Sequence, residues 1–344
     1  MKYFLSAIAV VFALFLILNP AAARGAVEAA VFDCLEVIIP SLFAFTVLAV
    51  YLQKSGLYRT ALRPITYPLS KLLRMDEELC AVFVLSNIGG YPVGARLLSE
   101  LVQSGRLSSK DAGRILCCCF GSGPSFVVGI AGMGVFGSAK AGLALFGACF
   151  FSSLLVAAAV RMRGEIKLQA AETRYILTSE SFISSVTNSA SVMLTVCAMI
   201  TAFSVITVLC RETGVFSLFE RLFGSAEIFP ALLEITRIKG ITPVHSAMPM
   251  CAALLSFGGV CVHLQISALA KGIELRRFIL SRIPAAAVSA LLAMPYSRAF
   301  TSTDVPVLAP ETSAEPFSKN ALLSACVLIM SGILLLEAKR KSRE

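Results

Sequence analysis

Residues 83–126 read FVLSNIGGYPVGARLLSELVQSGRLSSKDAGRILCCCFGSGPSF. Two apolar segments in this stretch are each interrupted mid-run. The first is broken by Ser86-Asn87-Ile88-Gly89-Gly90-Tyr91-Pro92, the second by Gly121-Ser122-Gly123-Pro124-Ser125. In a helix interior Gly costs about 1 kcal/mol and Pro about 3, so both clusters are predicted to unwind the helices that carry them. In a soluble protein these would be ordinary loops, but the composition excludes a soluble protein. The chain has 344 residues, 57% hydrophobic and 15% charged, with a mean hydropathy of +0.82. Soluble domains sit near 25% charged. The chain is therefore expected to be an all-α polytopic membrane protein.

The eleven Cys fall almost entirely in apolar runs and form no CxxC pair or Cys/His ligand spacing. They read as small core residues rather than disulfide or metal sites. The net charge of +9 would suggest a nucleic-acid partner in a soluble protein. Here the basic residues cluster between spans, where membrane orientation explains them.

Taken in order, residues 1–26 hold a first span, or a signal peptide cleaved after Ala21-Ala22-Ala23. Val27 to Gln53 is a long span with Pro40. Gly56 to Arg74 alternates basic and apolar residues, as an amphipathic surface helix does. Glu78 to Leu85 and Val93 to Val102 are each about ten residues, too short for a core of about 30 Å. Two half-length arms around a Gly/Pro tip suggest a re-entrant hairpin. Asp111 to Phe136 spans with an interruption, and Lys140 to Val160 is an ordinary span.

The second half repeats this order, giving a first repeat over 27–168 and a second over 169–297. Phe182 to Cys210 is a long span, and Gly214 to Phe223 a short amphipathic piece. Ile228 to Gly240 (IFPALLEITRIKG) is a half-length arm with a polar tip. Ala252 to Ala268 is broken at Phe257-Gly258-Gly259, and Phe278 to Pro295 is a further span. A linker over 298–319 leads to a last span, Ala321 to Leu336, and a basic tail within 320–344. With both termini inside and each hairpin counted as no crossing, inner segments hold 21 of the 30 Lys and Arg. That asymmetry orients the chain and makes the two halves inverted, an arrangement found in transporters.

Irregular backbone at membrane depth survives only where protein buries it or a wet cavity lines it. Paired tips and broken helices in matching positions point to a binding site near the midplane, although Gly and Pro also serve close helix packing. The candidate site combines Ser86, Asn87, Gly89, Gly90, Tyr91, Pro92 and Arg96 at the first tip with Gly121, Ser122, Gly123 and Ser125 at the first broken helix. From the second half it takes Glu234, Thr236 and Arg237 at the tip, with Gly258 and Gln265 beyond. Glu234 is the sole carboxylate between Glu227 and Glu274, and intramembrane acids mark function by default. If the tips meet, Arg96, Arg237 and Lys239 surround the site and suit an anionic solute. The competing reading pairs Arg96 with an acid and leaves Arg237 and Lys239 in outer water. His245 and His263 have no partner spacing and read as structural.

SNIGGYPVGARLLSELVQSG, FGSGPSFVVGIAGMGVFGS, LLEIT and FGGVCVHLQ resemble the sporulation integral membrane proteins of the YlbJ (SpoVV) type over about Val27 to Tyr296. That family carries two Gate-type nucleoside-recognition domains related to concentrative nucleoside transporters. The resemblance implies a multi-pass protein of the mother-cell-derived membrane around the forespore, moving dipicolinate towards the spore. It also matches Asn87 and Gly89 to Gly94 to the first gate tip, Gly121 to Ser125 to the first broken helix, and Glu234 with Thr236 to the second tip. One departure stands out: Arg237-Ile238-Lys239 intervene before Gly240, where a Gly soon after EIT is expected.

The expected function is alternating-access transport of a small anionic solute, with Na+ or H+ as a candidate coupling ion. No other cofactor and no metal is expected. No nucleophile–base pair suggests an enzyme, and a homo-oligomer is compatible. Alternatives are a nucleoside transporter and a non-transporting scaffold for spore formation.

Overall fold

The computed structural model describes residues 2–162, 164, 166, 168–169, 178–223 and 227–300; among these every regular element is a helix. The expected last span, the basic tail and most of the 298–319 linker lie outside the described residues.

α1 (Lys2–Leu18) is followed by α2 (Pro20–Ser55), so the junction lies at Asn19-Pro20 rather than near Val27. Pro20 sits at a helix N-terminus, where its missing N–H is not needed. Pro40 inside α2 removes a backbone donor, and the preceding Cys34–Ile38 widens into a π-helical turn rather than breaking. Two short helices, α3 (Tyr58–Ala61) and α4 (Arg63–Leu73), carry the basic amphipathic segment, and α4 packs against α5 (Glu77–Gly89).

α5 and α6 (Tyr91–Gln103) are both 13 residues long and fold back on one another. The ends of the pair are tied. Glu78 accepts two hydrogen bonds from Arg106, both 2.7 Å, with Arg59 3.9 Å away. A bidentate Arg–carboxylate pair of this kind is strong and directional. The unwound tip is narrower than predicted. Helix continues through Ser86 to Gly89, and Gly90 alone turns the chain, at φ 92° and ψ 174°. Pro92 falls in the first turn of α6, where it disrupts nothing.

The second break is displaced in the other direction. α7 (Ser109–Leu116) ends early, and residues 117–123 are irregular. Pro124 and Ser125 open α8 (Pro124–Phe136), so they belong to the helix rather than the gap. α9 (Ala139–Met162) and α10 (Ser179–Glu212) are long and apolar enough to cross a membrane, as is α2. α11 (Val215–Phe223) is the expected amphipathic piece.

The second tip is built differently. α12 (Ile228–Leu233) has six residues, Glu234 is extended, and Ile235–Gly240 is a 3₁₀ turn. No return helix precedes α13 (Ala247–Phe257), which is separated from α14 (Gly259–Leu269) at Gly258. α15 (Arg276–Ala293) follows. Ala247–Leu269 and Arg276–Phe300 complete five candidate spans among the described residues. The protein is thus a multi-pass membrane protein, with only helices as regular elements among the described residues. α10 lies along α2, α15 packs on α13 and α9, and the α5–α6 hairpin sits between α2 and α14 in one continuous apolar core.

Candidate functional site

The hairpin meets the unwound segment backbone to backbone. A Cβ on Gly94 would overlap the Cys119 carbonyl oxygen, and one on Gly123 would lie 2.8 Å from the Ile88 carbonyl oxygen. Glycine is required for so close an approach. Asn87 braces the contact: its Nδ2 donates to the Phe83 carbonyl at 2.8 Å and to the Cys118 carbonyl of the unwound stretch at 3.4 Å. Ser86 Oγ donates to the Phe83 carbonyl at 2.9 Å. Both side chains are buried and engaged with backbone. Gly121 belongs to the same packing, directly beneath the Asn87 amide, while Gly89 packs within the hairpin against the Val93 side chain.

Tyr91 connects the two halves. Its hydroxyl donates to the Leu255 carbonyl at 2.7 Å. In an unbroken helix that carbonyl would accept from the Gly259 N–H, but the chain turns at Gly258 with φ 90°. The hydroxyl therefore satisfies an acceptor that the break releases. Phe120 fills the space beside Gly258, where a Cβ would come within 2.5 Å of its ring, and stacks on Tyr91 at 4.8 Å between centroids. Ser122 is buried beside Tyr91.

At the second tip Glu234 is 1% exposed. One carboxylate oxygen accepts the Thr236 N–H at 2.9 Å, and the other accepts the Thr236 hydroxyl. The side chain thereby caps the 3₁₀ turn, and the Arg237 guanidinium lies 3.9 Å away. Gly259 packs against the carbonyls of Ala231 and Leu232, so the α13–α14 break and the second tip are in contact.

These parts enclose one cavity of about 20 Å³, room for about one water. Gly90, Tyr91 and Pro92 contribute from the first tip, Gly123 from the unwound segment, and Glu234 and Thr236 from the second tip. Gln265 reaches it from α14, and Ile38, Leu42, Val196 and Ile200 close it from α2 and α10. Tips about 150 positions apart in sequence are thus brought together.

Not every candidate faces this cavity. Ser125 is exposed on α8. Arg96 points instead to Glu100, 3.0 Å away, and Lys239 pairs with Asp33 at 2.9 Å. Arg237 donates to the Ser204 hydroxyl, which in turn donates to the Ala26 carbonyl at 3.0 Å. The expected ring of three tip cations therefore does not form, because each has a nearer partner. Glu234 is the charged residue that lines the cavity. His245 lies exposed, and His263 hydrogen-bonds the Gly259 carbonyl at 2.6 Å among Phe257, Phe120 and Phe278.

Over 132 residues the chain is 30% identical to the sporulation integral membrane protein YlbJ of Bacillus subtilis strain 168. The chain is similar to a YlbJ-type protein. The match covers 38% of this chain and spans about a third (32%) of that relative's length. No protein-family profile matches the chain, and no solved structure matches it.

One further residue, not among the candidates read from the sequence, lies wholly inside. Arg282 of α15 is 1% exposed. Its guanidinium sits 4.7 Å from the Phe120 ring centroid and 5.0 Å from that of Phe278. It donates to the Ser281 hydroxyl at 3.0 Å and to the Cys117 carbonyl of the unwound segment. The available signal was an arginine four residues into a predicted span, on the same helical face as Phe278.

Proposed function

We propose that the protein is a membrane transporter for a small solute during sporulation, with the cavity between the tips as the core of its binding site. The observation that carries this reading is the convergence of Gly90, Gly123 and Glu234, three points of interrupted helix, on one buried cavity. Interrupted helices at depth supply unpaired N–H and carbonyl groups, which is what a solute site in lipid needs. A volume that holds about one water cannot admit a ring-sized solute, so binding requires the tips to separate. In this reading the tips and broken helices rock against α2, α9 and α10 in alternating access. The re-entrant placement of the α5–α6 hairpin and the inverted relation of the halves are part of the same proposal.

The solute is a small planar anion, dipicolinate on the resemblance to YlbJ-type proteins, moved from mother cell to forespore. Glu234, buried and adjacent to the solute, is the candidate for carrying a coupling proton or cation. A second reading has its own support: the charged group lining the cavity is a carboxylate, which suits a neutral hydroxyl-bearing solute such as a nucleoside.

The test is uptake of labelled dipicolinate, and separately of labelled uridine, into vesicles holding the purified protein. Wild type should accumulate dipicolinate, and Glu234→Gln should abolish gradient-driven uptake while the protein stays inserted and folded. Uridine uptake alone would establish the second reading. No uptake of either under Na+ or H+ gradients would refute transport in favour of a scaffold.

A further inference from the structure

A buried guanidinium needs a counter-charge. Arginine does not discard its proton inside proteins, and an uncompensated buried charge is strongly destabilising. Arg282 makes no ion pair among the described residues. It has a carbonyl, a hydroxyl and two aromatic faces. Such neighbours orient a cation without neutralising it.

Its location gives the missing charge a meaning. Phe120 separates Arg282 from Tyr91, and Tyr91 lines the cavity. Two aromatic rings, Tyr91 and then Phe120, therefore stand between the cavity and the cation. Phe120 is a side chain that can turn about its own rotatable bonds while the backbone at 117–123 stays pressed against the hairpin glycines.

We infer that Arg282 is the anion-recognition group of the transport site, taking one carboxylate of the solute when the tips separate and the Phe120 ring moves aside. This rests on the transport reading above and supplies the cation that the tip residues do not. A planar aromatic carboxylate would lie against Tyr91 in the position that Phe120 occupies, with its charge on the guanidinium and its remainder in the cavity beside Gln265 and Thr236. The arrangement favours a flat, ring-bearing anion over an aliphatic one, because both neighbours of the site are aromatic faces.

The test is a ligand-charge cycle on the full chain in lipid nanodiscs. Binding of pyridine-2,6-dicarboxylate and of the uncharged pyridine-2,6-dicarboxamide is measured by calorimetry for wild type, Arg282→Lys, Arg282→Gln and the exposed-cation control Lys110→Gln. Loss of one partner of a buried charge pair predicts about 30-fold or more weaker dicarboxylate binding in Arg282→Gln. The dicarboxamide should change by less than about threefold, since no charge is lost from its contacts. Arg282→Lys keeps the charge but not the planar fork, so it should fall between the two.

A purely structural role would weaken both ligands alike, and that result overturns the inference. If Arg282→Gln does not purify as a folded species, Arg282→Lys decides, by whether its loss is confined to the charged ligand. Wild type that binds the dicarboxylate, with the preference intact in both Arg282 variants, sinks the role of Arg282 and leaves the transport reading standing. Wild type that binds neither ligand sinks the inference together with the dicarboxylate reading, and leaves the nucleoside reading to the uptake test.

Discussion

Around Gly90 the chain is held backbone against backbone, whereas around Glu234 it is held by side chains. The first tip joins two 13-residue helices whose ends are locked by Glu78 and Arg106, and its glycines press directly on residues 117–123. The second tip has a six-residue helix, an extended Glu234 and a 3₁₀ turn secured through Thr236, Ser204 and Asp33. Backbone contacts tolerate no added atoms, while polar side-chain contacts can be exchanged one at a time. The difference suggests a fixed side and a movable side of one site, with the carboxylate on the movable side.

The largest effect that would break this contrast concerns added atoms. Gly94→Ala forces a methyl into the Cys119 carbonyl and should lower unfolding free energy in bicelles by about 3 kcal/mol or more. Gly240→Ala in the second tip meets nothing within 4 Å and should stay within about 0.5 kcal/mol. Equal losses at the two positions would end the distinction.

A smaller effect probes the link between halves. Tyr91→Phe removes the donor to the Leu255 carbonyl and should cost about 1 kcal/mol. It should also speed hydrogen exchange at the α13–α14 break more than along α5. Unchanged exchange there would mean that Tyr91 does not hold the break.

The smallest effect lies at the second tip's surface. Lys239→Gln should cost less than about 1 kcal/mol, as exposed ion pairs do. Its coupling to Asp33→Asn in a double-mutant cycle should fade as salt is raised, since the lysine is partly exposed. A coupling that is large and salt-independent would make the second tip as rigid as the first.

Membrane class, helix content and the approximate positions of the breaks were legible in the sequence, since each is local. Apolar run length reports on the bilayer, and Gly with Pro reports on where helix hydrogen bonding fails. The exact ends were not. Pro92 and Pro124 read as breakers yet sit at helix starts, where the missing N–H has no consequence. Ser125 consequently fell on an exposed helical face rather than in the gap.

The side-chain partners were decided only in three dimensions. Arg96, Arg237 and Lys239 share a charge and a neighbourhood with the tips in sequence, and each is taken up by a different acceptor: Glu100, Ser204 and Asp33. Arg282 shows the converse. Four residues into a span it looks like a flank, but the packing of α15 on α13 and α9, with Phe120 laid over it, places the charge in the core. Composition and periodicity thus determined by themselves that this chain is a helical membrane protein with interrupted helices. Which interruptions meet, and which charges face them, depended on the packing of distant helices, because charge pairing follows distance in space and a sequence records distance only along the chain.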